Sequence, residues 1–127
     1  MPENHSYEYA VLRVVPRVER EEFFNVGVIL YCPGRKFLRV VWHLEEQRLS
    51  VFCEHLDMKE LHDNLAAFEK VCMGTDDSGP IGKLGIAERF RWLTATRSTI
   101  VQTSRVHPGL CVDPQEMLDH LYRELVL

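Results

Sequence analysis

Several features that mark particular protein classes are missing from this sequence. Its longest apolar stretch, residues 26–32, falls far short of the roughly 20 residues that a membrane-spanning helix needs. The 4 cysteines lie far apart and form no Cys-x-x-Cys pair, which argues against a zinc ribbon and a disulfide framework. The first residues lack the basic and apolar regions of a secretory signal. These absences predict a cytoplasmic protein with reduced thiols and no contact with a membrane.

The composition is that of an ordinary globular domain. The chain has 127 residues, of which 46% are hydrophobic and 27% are charged. A chain of this length suits one domain and can bury about two-thirds of its unfolded surface. The net charge of −4 argues against a broad attraction to nucleic acid or to an anionic membrane. No repeat, low-complexity segment or linker divides the chain, which predicts a single α+β domain over residues 1–127.

The first third of the sequence predicts three strands. Residues 7–15, 23–32 and 37–43 are rich in the β-branched and aromatic residues that suit a pleated sheet. The Pro-Gly pair at 33–34 is typical of a tight turn, since Pro presets φ and Gly accepts a positive φ. We therefore expect the second and third strands to form an antiparallel hairpin.

The period of the apolar residues becomes helical after the third strand. A short turn is indicated over residues 49–56, and a long helix begins at the N-cap Asp57 and stops at Gly74. A loop runs to residue 85. The remaining predicted elements are a helix over 86–94, a strand over 99–102 and a last helix that opens at Asp113-Pro114. This order predicts an α+β fold, with an antiparallel sheet of three to four strands and helices packed on one side.

Two residues that are depleted in strands interrupt the second strand. If the turn occupies residues 33–36, Cys32 pairs with Phe37 and Gly27 lies opposite Trp42. The indole can then cover the bare backbone of the glycine, and this interpretation is favoured over a ligand that approaches the backbone. Strict alternation along the strand predicts that one face carries Asn25, Gly27, Ile29 and Tyr31.

Asn25 raises the question of a site, because a buried amide needs hydrogen-bond partners. The nearest charged residues in the sequence are Arg20 and Glu22. These three residues either fix the loop after Pro16 or form one wall of a polar site. The architectural role is the favoured alternative.

Residues 86–107 carry four arginines against one acidic residue, in a chain that is acidic overall. The run Arg97-Ser98-Thr99 joins a guanidinium to two hydroxyl groups, which suits a compact anion such as phosphate. The candidate contributors in this segment are Arg89, Arg97, Ser98, Thr99, Gln102 and His107. The favoured alternative is a solvated arginine face, because exposed ion pairs are common.

The motifs that suggest catalysis or metal binding are each incomplete. Residues 79–85 resemble a phosphate loop, but Leu84 stands where Ser or Thr would hold magnesium. The pairs of histidine and cysteine lack a third ligand at the usual spacing, so no metal and no cofactor is expected. No serine lies in a nucleophile-elbow pattern and no cysteine has an activating environment. Catalytic residues stay unassigned, and the sequence leans against an enzyme.

Two blocks of the sequence together resemble a known family. The first block is Arg20-x-Glu22-x-x-Asn25-Val26-Gly27-Val28-Ile29-Leu30. The second contains Glu88-Arg89-Phe90-x-Trp92-Leu93-Thr94 and Arg97-Ser98-Thr99-x-Val101-Gln102, followed by His107-x-Gly109 and Asp113-Pro114. Both resemble the bacterial domain-of-unknown-function family 3037, DUF3037, over nearly the whole chain. The chain departs from the family pattern at Glu21, where Gly is usual, and at Thr96 and Thr103, where Pro is usual.

The resemblance implies a function only in outline. Members of the family are often encoded beside a kinase-like protein similar to the HipA toxins, which implies a small partner or regulator. This favours a non-enzymatic protein-binding or regulatory module whose partner is a HipA-like kinase. The alternative is a phosphate- or nucleotide-handling enzyme or binder that uses Arg89, Arg97 and Ser98, with Glu22 or Asn25 opposite. Nucleic acid is the least favoured ligand, because the net charge is negative.

Overall fold

The computed structural model describes residues 3–16, 23–52, 56–95 and 99–127. Within these ranges the strands are β1 (His5–Val14), β2 (Phe24–Cys32), β3 (Phe37–Trp42), β4 (Val101–Thr103) and β5 (His107–Cys111). The α-helices are α1 (Glu46–Phe52), α2 (Met58–Met73), α3 (Ile86–Leu93) and α4 (Pro114–Leu125), and two 3-10 turns lie at Pro33–Arg35 and Ile81–Lys83. None of these helices is both long enough and apolar enough to cross a membrane.

Every strand pair in the described sheet is antiparallel. The order is β3-β2-β1-β4, and β5 pairs with the other half of β1, so that β4 and β5 share one edge of β1. This arrangement confirms the α+β class. The sheet has five strands where three to four were expected, and the additional strand is β5. Pro108 and Gly109 conceal β5 in the sequence, because both residue types are depleted in strands.

The predicted register of the β2–β3 hairpin is confirmed. Cys32 pairs with Phe37, and Gly27 pairs with Trp42. A Cβ atom on Gly27 would lie 2.5 Å from the carbonyl oxygen of Val41 and 2.7 Å from Cβ of Trp42. Side chains do not tolerate such distances, so the close approach of β3 requires glycine at this position.

A β-bulge interrupts the pairing of β1 with β2. Gly27 pairs with Leu12 and Asn25 pairs with Arg13, so the intervening Val26 has no partner of its own in β1. Such an extra residue bends its strand and reverses the alternation of side chains beyond it.

The bulge changes which residues of β2 share a face. Val26 packs in the same core cluster as Ile29 and Tyr31, while Asn25 reaches the helix on the opposite face. The expectation that Asn25 shares a face with Gly27, Ile29 and Tyr31 is therefore wrong. Strict alternation holds only for a strand without a bulge.

Helices cover both faces of the sheet. Leu61 and Leu65 of α2 and Phe90 of α3 belong to the core on one face. On the other face, Leu118 of α4 packs in a second cluster with Val28 and other residues of β2. The expectation of helices on one side is met by α2 and α3, whereas α4 lies on the opposite face. Its apolar stripe is evident in the sequence, but a stripe does not specify which face of a sheet it covers.

The predicted helix ends are formed by the expected groups. Oδ1 of Asp57 accepts a hydrogen bond from the backbone N–H of Glu60 (3.1 Å), and Gly74 ends α2 with a φ of 66°. Oδ1 of Asp113 accepts from the backbone N–H of Gln115 (2.9 Å) at the start of α4. Such caps satisfy backbone groups that have no partner within the helix.

Replacing Gly27 by alanine should destabilise the domain. We expect G27A to lower the free energy of unfolding by about 2 kcal/mol, because β3 must move to admit the methyl group. Chemical denaturation monitored by circular dichroism measures this change. The matched control is Gly85→Ser at the N-cap of α3, where a Cβ has no heavy atom within 4 Å. Equal stabilities for the two variants would contradict the account of Gly27.

Candidate functional site

Polar side chains from three strands form a row across the sheet. Arg13 of β1 pairs with Asn25 of β2 on one side and with Gln102 of β4 on the other. Directly opposed residues of antiparallel strands project from the same face. Asn25, Arg13 and Gln102, which we call the polar row, therefore lie together on the face that carries α4. The row joins the second strand to the segment after α3.

Asn25 links the sheet to the end of α4. Its Nδ2 donates a hydrogen bond to the carbonyl oxygen of Leu125 (3.0 Å). This carbonyl belongs to the last turn of the helix, where backbone acceptors have no partner within the helix. Since only the amide nitrogen can donate, the orientation of the side chain is fixed. Oδ1 of Asn25 is then buried without a hydrogen-bond partner.

Arg13 is a half-buried cation at the centre of the row. Its guanidinium lies 4.2 Å from the centre of the Phe23 ring, a distance typical of a cation–π contact. Its Nε is buried without a hydrogen-bond partner. Among the residues that the structure describes, no carboxylate forms an ion pair with Arg13. The ion pair that these described residues do form joins Lys70 and Asp77. The sequence pattern does not indicate Arg13, because only the bulge places it opposite Asn25.

Gln102 and Thr99 hydrogen-bond within their own segment. Nε2 of Gln102 donates to the carbonyl oxygen of Thr99 (2.8 Å), and Oγ1 of Thr99 donates to that of Val101 (2.6 Å). The backbone N–H of Val15 donates to the carbonyl oxygen of Ile100 (2.7 Å). The end of β1 and the start of β4 are thereby held together.

Four of the candidate residues lie outside the described part of the chain. They are Arg20, Glu22, Arg97 and Ser98. Their described flanking positions are nevertheless informative. Residues 17–22 join the end of β1 to Phe23, and residues 96–98 precede the segment that pairs with the end of β1. The described residues beside these gaps, Phe23 and Thr99, lie at the end of the sheet that carries the polar row.

Two candidates lie away from the row. Arg89 is on α3, in the layer on the opposite face of the sheet, and its Nη1 donates to the carbonyl oxygen of Leu84 (2.8 Å). A Cβ on Gly74 would lie 2.9 Å from the same Nη1, so the guanidinium lies beside the end of α2. His107 pairs with Tyr9 in the other half of β1, with the two ring centres 5.2 Å apart. Arg89 thus supports its own loop and the C-terminus of α2.

The described residues do not assemble a metal site or a reactive thiol. No group of three or more histidine, cysteine, aspartate or glutamate side chains in those ranges could hold a metal ion. Burial raises the pKa of Cys72 to about 12, although the nearby Arg89 acts in the opposite direction. The Cys72 thiol therefore stays protonated at neutral pH and is a poor nucleophile.

An apolar groove lies between α2, α3 and β4. Its volume is about 260 Å³, and its walls include Phe68, Val71 and Leu93. Thr99 and Val101 line the groove on the side of β4. Trp92 also lines it and is 41% exposed, although most tryptophans in folded domains are more fully covered. We call this surface the Trp92 groove. In the sequence, Trp92 is distinguished only by its place in the family resemblance.

The hydrogen bond from Asn25 should contribute measurably to stability. In Asn25→Asp the side chain keeps its size, but the carboxylate cannot donate and its charge lies beside the negative end of α4. We expect a loss of about 2 kcal/mol in the free energy of unfolding at neutral pH. The loss should shrink as the pH falls toward about 4 and should be small below it, because a protonated carboxyl group can donate again.

The matched control for this variant is Asn64→Asp on the exposed side of α2. It introduces the same charge without touching α4, and it should change stability by less than about 0.5 kcal/mol. Urea denaturation at pH 7 and at pH 3.5 provides the comparison. Identical losses in the two variants would show that Asn25 does not hold α4.

Comparison with known proteins identifies the family of the chain. The model of the family described as "Protein of unknown function (DUF3037)" matches residues 9–126. This range includes the polar row, the Trp92 groove and every candidate residue named above. No curated protein and no solved structure matches the chain. Because the family model covers nearly the whole sequence, the chain belongs to the DUF3037 family.

Proposed function

We propose that this chain is a non-enzymatic binding module that docks a protein partner, and that the partner is a kinase-like protein of the HipA type. The observation that carries the proposal is the Trp92 groove. Its concave apolar walls and its exposed indole form a surface that an apolar side chain of a partner can fill. The nature of the partner rests on the family resemblance.

The geometry of the groove suits protein recognition. Tryptophan is among the residues that contribute most to binding energy when a partner covers them. Ala67 of α2 is exposed and lines the groove without narrowing it.

The polar candidates support binding more than catalysis. The side chains of Asn25, Arg89 and Gln102 each donate to a backbone carbonyl of the domain itself. A general acid or base must reach a substrate, and its pKa is usually shifted toward the working pH. These three side chains act instead as supports for α4, for the loop before α3 and for β4.

Mutations in the groove should weaken association with the kinase-like partner. We expect Trp92→Ala and Ala67→Glu each to raise the dissociation constant by at least about thirtyfold, the effect of losing a central anchor residue. Co-expression and co-purification with the kinase-like neighbour, followed by calorimetry, measure the change. Ala67→Glu alters an exposed helix position, so it tests the groove even if Trp92→Ala folds poorly.

The control variant is Met73→Ala, which removes another exposed apolar side chain at the end of α2. It should bind as the wild type does. Loss of binding in all three variants would place the interface elsewhere on α2. Failure of the wild type to associate at micromolar concentrations would reject the proposed partner.

A second candidate function, binding of a phosphate-bearing ligand, is favoured by Arg13. Among the described residues the half-buried guanidinium of Arg13 has no carboxylate partner, and an anion that reaches it would offset the cost of burying its charge. The Phe23 ring lies against the guanidinium, and Gln102 of β4 pairs with Arg13 across the sheet. We propose that Arg20, Arg97 and Ser98, which lie outside the described residues, also contribute to this site.

Inorganic phosphate should stabilise the protein through Arg13. At a hundredfold excess over the dissociation constant, the expected gain in the free energy of unfolding is about 2.7 kcal/mol. Thermal unfolding in phosphate, compared with chloride at equal ionic strength, measures the gain. Arg13→Gln should abolish it, while Arg39→Gln on the exposed edge strand β3 should retain it. A gain that persists in Arg13→Gln would place the anion elsewhere.

A further inference from the structure

Two aromatic rings lie on the same face of the sheet as the polar row. Tyr9 of β1 pairs with His107 of β5, and their ring centres are 5.2 Å apart with the planes tilted by 30°. Ala10 and Leu12 of β1 belong to the core on the opposite face. Since side chains alternate along a strand, Tyr9 and Arg13 both project from the face that carries α4. Four residue steps along β1 separate their backbones by about 13 Å.

This part of the face is accessible beside α4. The helix packs mainly against β2 and β3, whereas β4 and β5 lie on the other side of β1. Leu30 of β2 is completely buried on the α4 face. The four side chains on the far side of α4 are each partly exposed: Tyr9, His107, Arg13 and Gln102. Each of them therefore keeps surface that a ligand can contact.

The neighbouring Tyr7 holds the aromatic pair in place. Tyr7 is buried, and its ring centre lies 6.1 Å from that of Tyr9. A Cβ atom on Gly109 would lie 2.5 Å from Oη of Tyr7, so the Tyr7 ring covers the bare backbone of β5. Three rings thus adjoin one another along β1 and β5. A surface that is ordered in advance loses little conformational entropy when a flat ligand stacks on it.

A ring surface and a cation on one face suit a nucleotide. Cross-strand aromatic pairs stabilise a sheet by themselves, but this pair shares its face with Arg13, which has no carboxylate partner among the described residues. Nucleobases stack on aromatic side chains, and phosphate groups suit a guanidinium. A nucleotide carries both groups at its two ends. The net charge of −4 favours a single nucleotide over a nucleic-acid strand.

We propose that this face binds a nucleoside triphosphate, with its base stacked on the rings of Tyr9 and His107 and its phosphate chain directed along β1 to Arg13. The proposal rests on the second candidate function above, the binding of a phosphate-bearing ligand at Arg13, and it names the class of that ligand. It also brings His107 into one site with Arg13 and Gln102.

ATP and inorganic triphosphate are matched probes for this site, because only ATP carries a base. ATP should bind at least about tenfold more tightly, the factor expected from stacking of one base. Both probes should lose affinity in Arg13→Gln, since both place phosphate at the guanidinium. Calorimetric titrations of the whole chain at neutral pH and constant ionic strength, without magnesium, measure the dissociation constants.

Two variants each remove one ring and keep an apolar side chain. Tyr9→Leu and His107→Leu should each weaken ATP binding by at least about fivefold and leave inorganic triphosphate unchanged. The matched control is His62→Leu, because the His62 ring contacts Trp42 (5.3 Å between ring centres) on the opposite face. It should bind ATP as the wild type does. The partly exposed His107 carries the test even if Tyr9→Leu folds poorly.

The outcomes separate this proposal from the anion site on which it rests. Equal affinity for the two probes, with both dependent on Arg13, would overturn the base site and leave the anion site intact. ATP affinity that neither ring variant changes would do the same. Absence of binding, or binding that Arg13→Gln does not weaken, would overturn both proposals.

Discussion

The β-bulge at Val26 is the constraint on which the arrangement of polar groups depends. One extra residue in β2 sends Val26 to the core beneath α2 and α3, and it sends Asn25 to the face that carries α4. The same shift brings Arg13 into register with Asn25, and the pairing of β1 with β4 adds Gln102. Without the bulge the amide of Asn25 would project into an apolar core, where it would have to find other partners.

The bulge also explains how the terminal helix is fixed. α4 covers the face of β2 with Leu118, but apolar contacts alone permit a helix to slide along a sheet. The hydrogen bond between Asn25 and Leu125 is directional and lies at the last turn, so it defines where the helix ends. Tyr122 and Val126, near the same end of α4, line a cavity of about 190 Å³ beside the start of β2. A single strand irregularity therefore shapes the surface on that side of the domain.

Much of the fold follows from the sequence, because local signals determine it. The Pro-Gly turn fixes the hairpin register, and Asp57, Gly74 and Asp113 mark helix ends through groups adjacent in the chain. The bulge, β5 and the position of α4 could not be predicted, because each depends on contacts between distant residues. The candidate site was predictable only in part. Asn25 and Gln102 lie in one row because each pairs with Arg13, whereas Arg89 lies away from this row and supports its own loop.

Two arginines show why burial alone does not identify a binding residue. Arg89 has a buried Nε without a partner, yet its Nη1 donates to Leu84 and it lies beside the negative end of α2, where a cation is favourable. Arg13 has no comparable compensation among the described residues beyond the Phe23 ring. A cation–π contact offsets only a part of the cost of desolvating a guanidinium. This contrast is the reason why the proposal of an anion site rests on Arg13 and not on Arg89.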